Sequence, residues 1–116
     1  MTETLKLTVE NRSGEVAVIY TDGYINNQGG EEIARVAYEL IESGHKKLLL
    51  NLAKTKIVNS IGISILIEII EKMLEIDGRL AFCSLTPTIE KTFNIMGLTQ
   101  YASIYSDEET ALSNLG

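Results

Sequence analysis

The passage from residue 46 to residue 76 does most to limit the folds open to this chain. Residues 46–52, Lys-Lys-Leu-Leu-Leu-Asn-Leu, form an apolar run with few polar breaks, which is typical of a strand covered on both faces. After a short polar connection, residues 59–62, Asn-Ser-Ile-Gly, open a second apolar run that continues to Ile76. The pattern predicts a central strand followed by a helix, with a serine hydroxyl at their junction.

Strand and helix signals alternate along the rest of the chain. Leu5, Leu7 and Val9 alternate with polar residues, and Ser13-Gly14 supplies a turn into a second strand. The remaining predicted elements are that strand at 16–20, a loop or frayed helix start at 26–30, a helix that Gly44 ends, a strand at 79–83, a helix from Thr86-Pro87 to Gly97, an edge strand at 103–105 and a helix at 107–115. The order β-β-α-β-α-β-α-β-α predicts one α/β domain over residues 1–116, with a mixed four- to five-stranded sheet and about four helices.

Composition and charge exclude several classes of function. A chain of 116 residues that is 45% apolar suits a single core, and a net charge of −6 without clustered cations argues against nucleic-acid binding. The N-terminus lacks a secretory pattern, and the apolar window at 57–76 carries too many charges for direct membrane insertion. The single cysteine, Cys83, lies in an apolar stretch, as expected for a buried thiol in a reducing compartment. We therefore expect a cytoplasmic protein.

Ser60 stands where the predicted strand becomes a helix. The first N–H groups of a helix lack internal partners and carry the positive end of its dipole, so a phosphate on Ser60 could be held there without a basic side chain. The alternative is that Asn59 and Ser60 only cap the helix, as such residues often do. The residues alone leave both interpretations open.

The helix after Ser60 is apolar over a wide arc. Its apolar side chains spread over roughly 200°, more than packing on one face of a sheet usually requires. Either part of this surface faces a partner protein, or neighbouring helices cover all of it.

Several segments together resemble the STAS domain of bacterial anti-sigma factor antagonists. The apolar strand at 48–52, followed by Ile57-Val58-Asn59-Ser60-Ile61-Gly62, resembles the family's strand, loop, Asp-Ser-x-Gly and apolar helix. The other segments that agree are Gly23-Tyr24-Ile25-Asn26, Gly78-Arg79-Leu80, Thr86-Pro87 to Gly97-Leu98, and Ile104-Tyr105 with residues 107–112. The likeness covers nearly the whole chain.

This resemblance implies a protein-binding switch rather than an enzyme. In the family, the unphosphorylated antagonist binds an anti-sigma factor, often a serine kinase of the histidine-kinase-like ATPase type, and so frees a sigma factor. Phosphorylation of the motif serine, here Ser60, ends binding, and a phosphatase restores it. The residues implied in partner binding are Asn26, Asn59, Ser60, Ile61, Gly62 and Ile65. We expect a monomer or weak dimer.

The chain departs from the family pattern at two positions. Asn59 stands where the family usually has Asp, and Asn26 where another acidic residue is frequent. A kinase therefore loses an acidic contact that the family usually offers. A phosphoserine at position 60, however, would meet less like-charge repulsion from Asn59 than from a carboxylate. These two effects oppose each other.

Two other functions compete with the switch. A STAS subunit that never cycles could act as a scaffold in a signalling complex or as the accessory subunit of a lipid-transport ABC system. A small enzyme is the third hypothesis, but the sequence shows no phosphate-binding Gly-rich loop and no Cys/His metal spacing, and His45 is its one imidazole. We therefore expect no catalytic residue, no metal and no cofactor.

Overall fold

Strands and helices follow the predicted order along the chain. The structure, a computed structural model, describes residues 5–12 and 15–115, so the turn predicted at Ser13-Gly14 lies outside the described residues. The elements are β1 (Lys6–Asn11), β2 (Val16–Ile25), α1 (Asn27–Glu42), β3 (Lys47–Val58), α2 (Ser60–Glu75), β4 (Arg79–Cys83), α3 (Pro87–Ile95), a 3-10 turn (Leu98–Gln100), β5 (Ser103–Tyr105) and α4 (Glu108–Leu115).

Five strands form one mixed sheet in the order β1-β2-β3-β4-β5. β1 pairs with β2 in the antiparallel sense, and the three remaining pairs are parallel, each joined through a helix. The predicted α/β class is confirmed, and β3 is the central strand as predicted. Because β2, β3 and β4 are parallel, their carboxyl ends share one edge of the sheet, where α1, α2 and α3 begin.

The sheet separates two apolar cores, which explains the unbroken Leu48-Leu49-Leu50 run. Leu48 and Leu50 face the larger core beneath α1, α2 and α3. Leu49 faces a smaller core with Cys83 and Leu115, closed by α4. Successive strand residues point to opposite faces, so a strand buried on both faces needs apolar residues at every position.

The carboxylate of Glu108 fastens α4 to the second face of the sheet. Its Oε1 accepts a hydrogen bond from Asn51 Nδ2 at 3.0 Å, and its Oε2 accepts from the Tyr20 hydroxyl at 2.9 Å and from Arg12 at 2.7 Å. Burial, followed by the bond to Glu108, raises the pKa of Tyr20 to about 12. One side chain of α4 therefore contacts three strands or their ends.

The polar connection predicted after residue 52 is wrong, because β3 continues through it to Val58. β2 extends beside it to Ile25, well past the predicted end at residue 20, and Ile25 pairs with Val58. The pairing of β2 with β3 shifts register between Tyr20 and Tyr24. The hydroxyls of Thr21 and Thr55 lie 2.6 Å apart in the interior, which satisfies both polar groups and allows polar residues within paired strands.

Residues 27–30 are the first turn of α1 rather than the predicted loop or frayed helix start. A Cβ on Gly29 would lie 2.6 Å from the Tyr24 carbonyl oxygen, so glycine here permits close approach of backbone. The predicted helix ends are confirmed by Gly44 and Gly97, whose φ angles of 98° and 84° favour glycine after a helix.

Neighbouring elements cover most of the apolar arc of α2. Ile63, Leu66 and Met73 are buried, whereas Ile61 and Leu74 remain about half exposed at opposite ends of the helix. The interpretation in which neighbouring helices cover the whole arc is therefore wrong, and the interpretation in which part of the arc faces a partner stays a prediction. Within residues 5–12 and 15–115, we find no helix with the length and apolar character needed to span a bilayer.

Candidate functional site

The helices α1 and α2 begin side by side at the carboxyl edge of the sheet. Ile25 and Val58 are paired at the ends of β2 and β3, so Asn26 and Asn59 follow at equivalent places. The Asn59 N–H donates a hydrogen bond of 3.1 Å to the Ile25 carbonyl oxygen. This bond ties the start of α2 to the end of β2 and brings the two helix N-termini together.

Each helix is capped by the asparagine before it. Asn26 Oδ1 accepts a hydrogen bond of 2.9 Å from the Gly29 N–H, and Asn59 Oδ1 accepts one of 2.7 Å from the Gly62 N–H. Asn59 has the extended backbone of a capping residue, whereas Ser60 is already the first residue of α2. The alternative in which Ser60 serves as a cap is therefore wrong, because the neighbouring amide has taken that place.

The six residues predicted to bind a partner occupy different depths. Ser60 and Ile61 are exposed, and Asn26 and Asn59 are half-buried while capping their helices. Gly62 is buried, and a side chain there would overlap the Ile25 carbonyl oxygen. Ser60 and Ile61 are therefore available at the surface. Gly62 and the two asparagines also stabilise the fold, through close backbone packing and helix capping.

Ile65, the sixth predicted residue, lies largely between the two helices. A Cβ added to Gly30 of α1 would lie 2.8 Å from Ile65 Cδ1, which shows how closely the side chain packs on that glycine. Ile65 also contacts the larger core. It supports the relative position of α1 and α2 more than it offers contact area.

Sequence reasoning missed three residues in the last part of β3, which precedes Ser60. Ile57 is 55% exposed, close to the 52% of Ile61, so two apolar side chains precede and follow the serine along the chain. Lys54 and Lys56 line a small depression with Ile57. The β-branched residues Thr55 and Ile57, which alternate with lysines, were the available signal for a strand. The polar character of the segment suggested a connection instead.

The edge around Ser60 favours an anion although the chain is acidic overall. Neither α1 nor α2 has an acidic side chain in its first turn. Two helix N-termini direct the positive ends of their dipoles to this edge, and Lys54 and Lys56 belong to the adjoining strand. An anion at the two helix N-termini would therefore meet the positive ends of both dipoles and no carboxylate of either first turn.

Of the residues with other reactive chemistry, Cys83 lies in the smaller core on the second face of the sheet, and His45 lies before the start of β3. Cys83 is fully buried, and burial raises the pKa of its thiol to about 11, far from the range of a reactive thiolate. His45 Nδ1 lies 3.0 Å from the Leu40 carbonyl oxygen at the end of α1. In the described part of the chain, no three His, Cys, Asp or Glu side chains are grouped so that they could hold a metal ion.

Three solved structures share this fold, two of them named as anti-sigma factor antagonists and one as a Bacillus cell fate determinant. The antagonist from Mycobacterium paratuberculosis gives a TM-score of 0.84 at 19% identity, covering 97% of this chain and 94% of that one. A Thermotoga maritima protein named as a candidate antagonist gives 0.86 at 14% identity, with coverage of 94% and 93%. The phosphorylated form of SpoIIAA from Bacillus gives 0.75 at 20% identity, with coverage of 96% and 100%. At these identities the likeness establishes the fold.

Sequence comparison identifies the family. A candidate anti-sigma factor antagonist, BtrV of Bordetella bronchiseptica, is 21% identical over 107 residues, which cover 92% of this chain and 91% of BtrV. The family model of the STAS domain matches residues 8–111, from β1 into α4. Because this match takes in nearly every element of the sheet and its helices, the chain belongs to the STAS domain family.

Proposed function

We propose that this protein is an anti-sigma factor antagonist that is switched by phosphorylation of Ser60. Unphosphorylated, it binds an anti-sigma factor, a serine kinase of the histidine-kinase-like ATPase type, and thereby releases a sigma factor. Phosphorylation of Ser60 ends the binding, and a phosphatase restores it. The observation that carries the proposal is an exposed serine at the start of α2 whose capping task is done by Asn59.

The free protein tolerates a phosphate on Ser60 well. At the first position of α2 the phosphate lies at the positive end of the helix dipole, an interaction of about 0.3–1 kcal/mol at a surface site. The neighbouring first turns contain no carboxylate to repel it. The fold is therefore kept in both states.

The same phosphate is costly in a complex. Ile57 and Ile61 provide the exposed apolar contact area next to Ser60. A group of about −1.5 to −2 charge placed in such a contact must lose its water and brings repulsion from any acidic group of the partner. Modification thus acts on the interface rather than on the fold.

The two asparagines fit this switch despite the family's preference for acidic residues. Asn59 and Asn26 accept the capping hydrogen bonds that a carboxylate would accept, so α2 and α1 remain capped at their N-termini. Being neutral, they leave the phosphate without a like charge beside it. We expect the phosphorylated form to be at least as well tolerated as with aspartate.

The names of two solved structures with this fold support a role that depends on phosphorylation. One is named as an anti-sigma factor antagonist in its unphosphorylated form, and the same protein was also solved phosphorylated. Placing this chain in the same role implies a cytoplasmic protein, because sigma factors act on RNA polymerase there.

The test is affinity capture from native lysate with wild-type, Ser60→Ala and Ser60→Glu proteins as baits. Thr88→Glu is the matched control, since Thr88 is an exposed hydroxyl residue in the first turn of α3. We expect wild type, Ser60→Ala and Thr88→Glu to capture an ATPase-type anti-sigma kinase, and Ser60→Glu to lose it. Mass spectrometry should find phosphate on Ser60 after exposure to that kinase and ATP.

Two results would contradict the switch. Ser60 could remain unmodified by its active cognate kinase, or the alanine and glutamate variants could capture the same partners equally well. Equal capture of signalling or transporter subunits by all baits would instead identify a STAS scaffold or accessory subunit that does not cycle.

A further inference from the structure

A second apolar surface lies at the other end of α2, separate from the Ser60 edge. A groove of about 1010 Å³ runs between the C-terminal half of α2 and the segment that ends α3, with Leu74, Ile95, Met96 and Tyr101 among its lining residues. We call it the α2–α3 groove. Leu74 follows Ser60 by about 21 Å along the helix axis, at 1.5 Å per residue. The two surfaces therefore do not overlap.

The α2–α3 groove holds an unusual share of exposed apolar side chains. Ile95 is 72% exposed, Tyr101 61%, Leu74 49% and Met96 46%. These four make up half of the exposed large apolar side chains in the part of the chain that the structure describes. Apolar side chains gathered in this way mark an interaction surface, whereas single exposed ones need no explanation.

The charges of the α2–α3 groove all have one sign. Glu71 and Glu75, one turn apart on α2, line it, and no Lys or Arg of the described residues does. Lys72 approaches Glu75 only at 4.0 Å, and both side chains are about half exposed or more, so this pair neutralises little of the charge. An occupant with positive charges beside apolar groups fits this surface.

A second copy of the chain is a poor occupant by the same argument. Two copies joined through this surface would each bring Glu71 and Glu75 into the same contact. Each copy also carries a net charge of −6. Like charges in a desolvated contact are costly, so self-association lacks the complementarity that the groove requires.

The walls of the α2–α3 groove favour a helix over an extended peptide. Within α2 and α3 the backbone groups bond to one another, and the edge strand β5 does not line the groove. An extended peptide would find no strand edge to pair with, whereas a helix satisfies its own backbone and presents apolar side chains at i, i+3, i+4 and i+7.

We propose that the α2–α3 groove binds an amphipathic helix of a partner protein that carries Lys or Arg beside its apolar face. The apolar face packs on Leu74, Ile95, Met96 and Tyr101. Two basic side chains spaced one turn apart reach Glu71 and Glu75. This site is independent of Ser60, so it remains available whether or not that serine is phosphorylated.

The test uses two designed peptides and the full chain. One is an amphipathic helix of about sixteen residues with Leu at the i, i+3, i+4 and i+7 positions and flanking Lys, and the other has Glu for each Lys. Fluorescence anisotropy gives the affinities, and amide NMR shifts locate the binding. We expect shifts centred on residues 67–75 and 95–101, and about tenfold tighter binding of the Lys peptide.

Charge reversal separates this site from general attraction to an acidic protein. Glu71→Lys/Glu75→Lys should reverse the preference between the peptides, whereas Glu31→Lys/Glu42→Lys on α1, with the same change in net charge, should keep it. Ile95→Ser should weaken binding of the Lys peptide by about tenfold or more, since it removes an exposed anchor without disturbing the core.

Four results would overturn the proposal. They are no binding of either peptide, shifts that map to the Ser60 edge, a preference that survives reversal of both carboxylates, and a dimer in sedimentation that Ile95→Ser dissociates. The last would make a second copy the occupant. Ile61→Ser at the other end of α2 serves as a control that should leave peptide binding unchanged.

Discussion

Replacing Gly62 by alanine should destabilise the protein although alanine is the better helix former. A methyl group at position 62 would overlap the carbonyl oxygen of Ile25 and lie 3.0 Å from Ile25 Cγ2. Forcing a group into a packed contact costs about 1–3 kcal/mol. That carbonyl also accepts the Asn59 N–H bond, so moving α2 away from β2 costs about 1 kcal/mol more.

Helix propensity opposes this loss without cancelling it. Glycine is about 1 kcal/mol less favourable than alanine inside a helix, so Gly62→Ala regains roughly the value of the lost hydrogen bond. The net decrease in the free energy of unfolding should therefore be about 1–3 kcal/mol. At roughly 4 °C for each kcal/mol, Tm should fall by about 4–12 °C.

Urea unfolding followed by circular dichroism measures this difference, with Gly30→Ala as the matched control. Gly30 lies in the first turns of α1, and a methyl group there would lie 2.8 Å from Ile65 Cδ1 and 3.2 Å from Ile65 Cβ, with Gly62 Cα at 3.5 Å. Because side-chain atoms rather than a backbone carbonyl must give way, we expect the control to lose less stability than Gly62→Ala. Gly62→Ala at wild-type stability or above would refute the argument from close backbone approach.

Three substitutions test the capping residues, and one chemical reaction tests the buried thiol. Asn59→Ala should lower the free energy of unfolding by about 0.5–2 kcal/mol in urea, whereas Asn59→Asp should keep it at neutral pH, and equal losses would contradict the capping argument. The Thr110 N–H holds the pKa of Asp107 below its usual range. The ionised Asp107 side chain therefore makes its full contribution to stability above the pKa that it has in the unfolded chain, about 3.9. This contribution is lost as the pH falls through the lower pKa that Asp107 has in the folded protein. Asp107→Asn should consequently reduce the loss of stability on acidification, which urea midpoints across that range would show. Cys83, with its pKa raised to about 11, should react with Ellman's reagent at neutral pH only as fast as the protein opens, and rapid reaction of the native protein would refute its burial.

Much of the fold was predictable because its signals are local. The apolar residues 48–50 specify a strand buried on both faces, and Thr86-Pro87 and Gly97 specify where α3 starts and stops, through capping, a fixed φ angle and a left-handed turn. These preferences act within a few residues of the chain, so the sequence shows them directly.

The errors share a different cause, which is pairing between distant segments. Residues 53–58 look like a connection until β2 is extended beside them, and the buried hydroxyl pair of Thr21 and Thr55 removes the cost of polar residues there. Similarly, the place of Ser60 depends on Asn59 meeting the carbonyl oxygen of Ile25. The position of Ser60 at the start of a helix was predictable from the sequence, but the exposure of Ile57 required the three-dimensional structure.

The attachment of α4 through Glu108 has a consequence for the order in which this protein folds. A nascent chain that has not reached residue 108 already contains Asn51 and Tyr20, but their common acceptor is absent and Leu49 has no cover. Glu108 follows Asn51 by 57 positions in the sequence and Tyr20 by 88 positions. Closing loops of these lengths costs conformational entropy before any contact is gained, so these hydrogen bonds form late. The second face of the sheet is therefore completed only when α4 packs on it, and an incomplete chain exposes an apolar sheet face to chaperones and to other nascent chains.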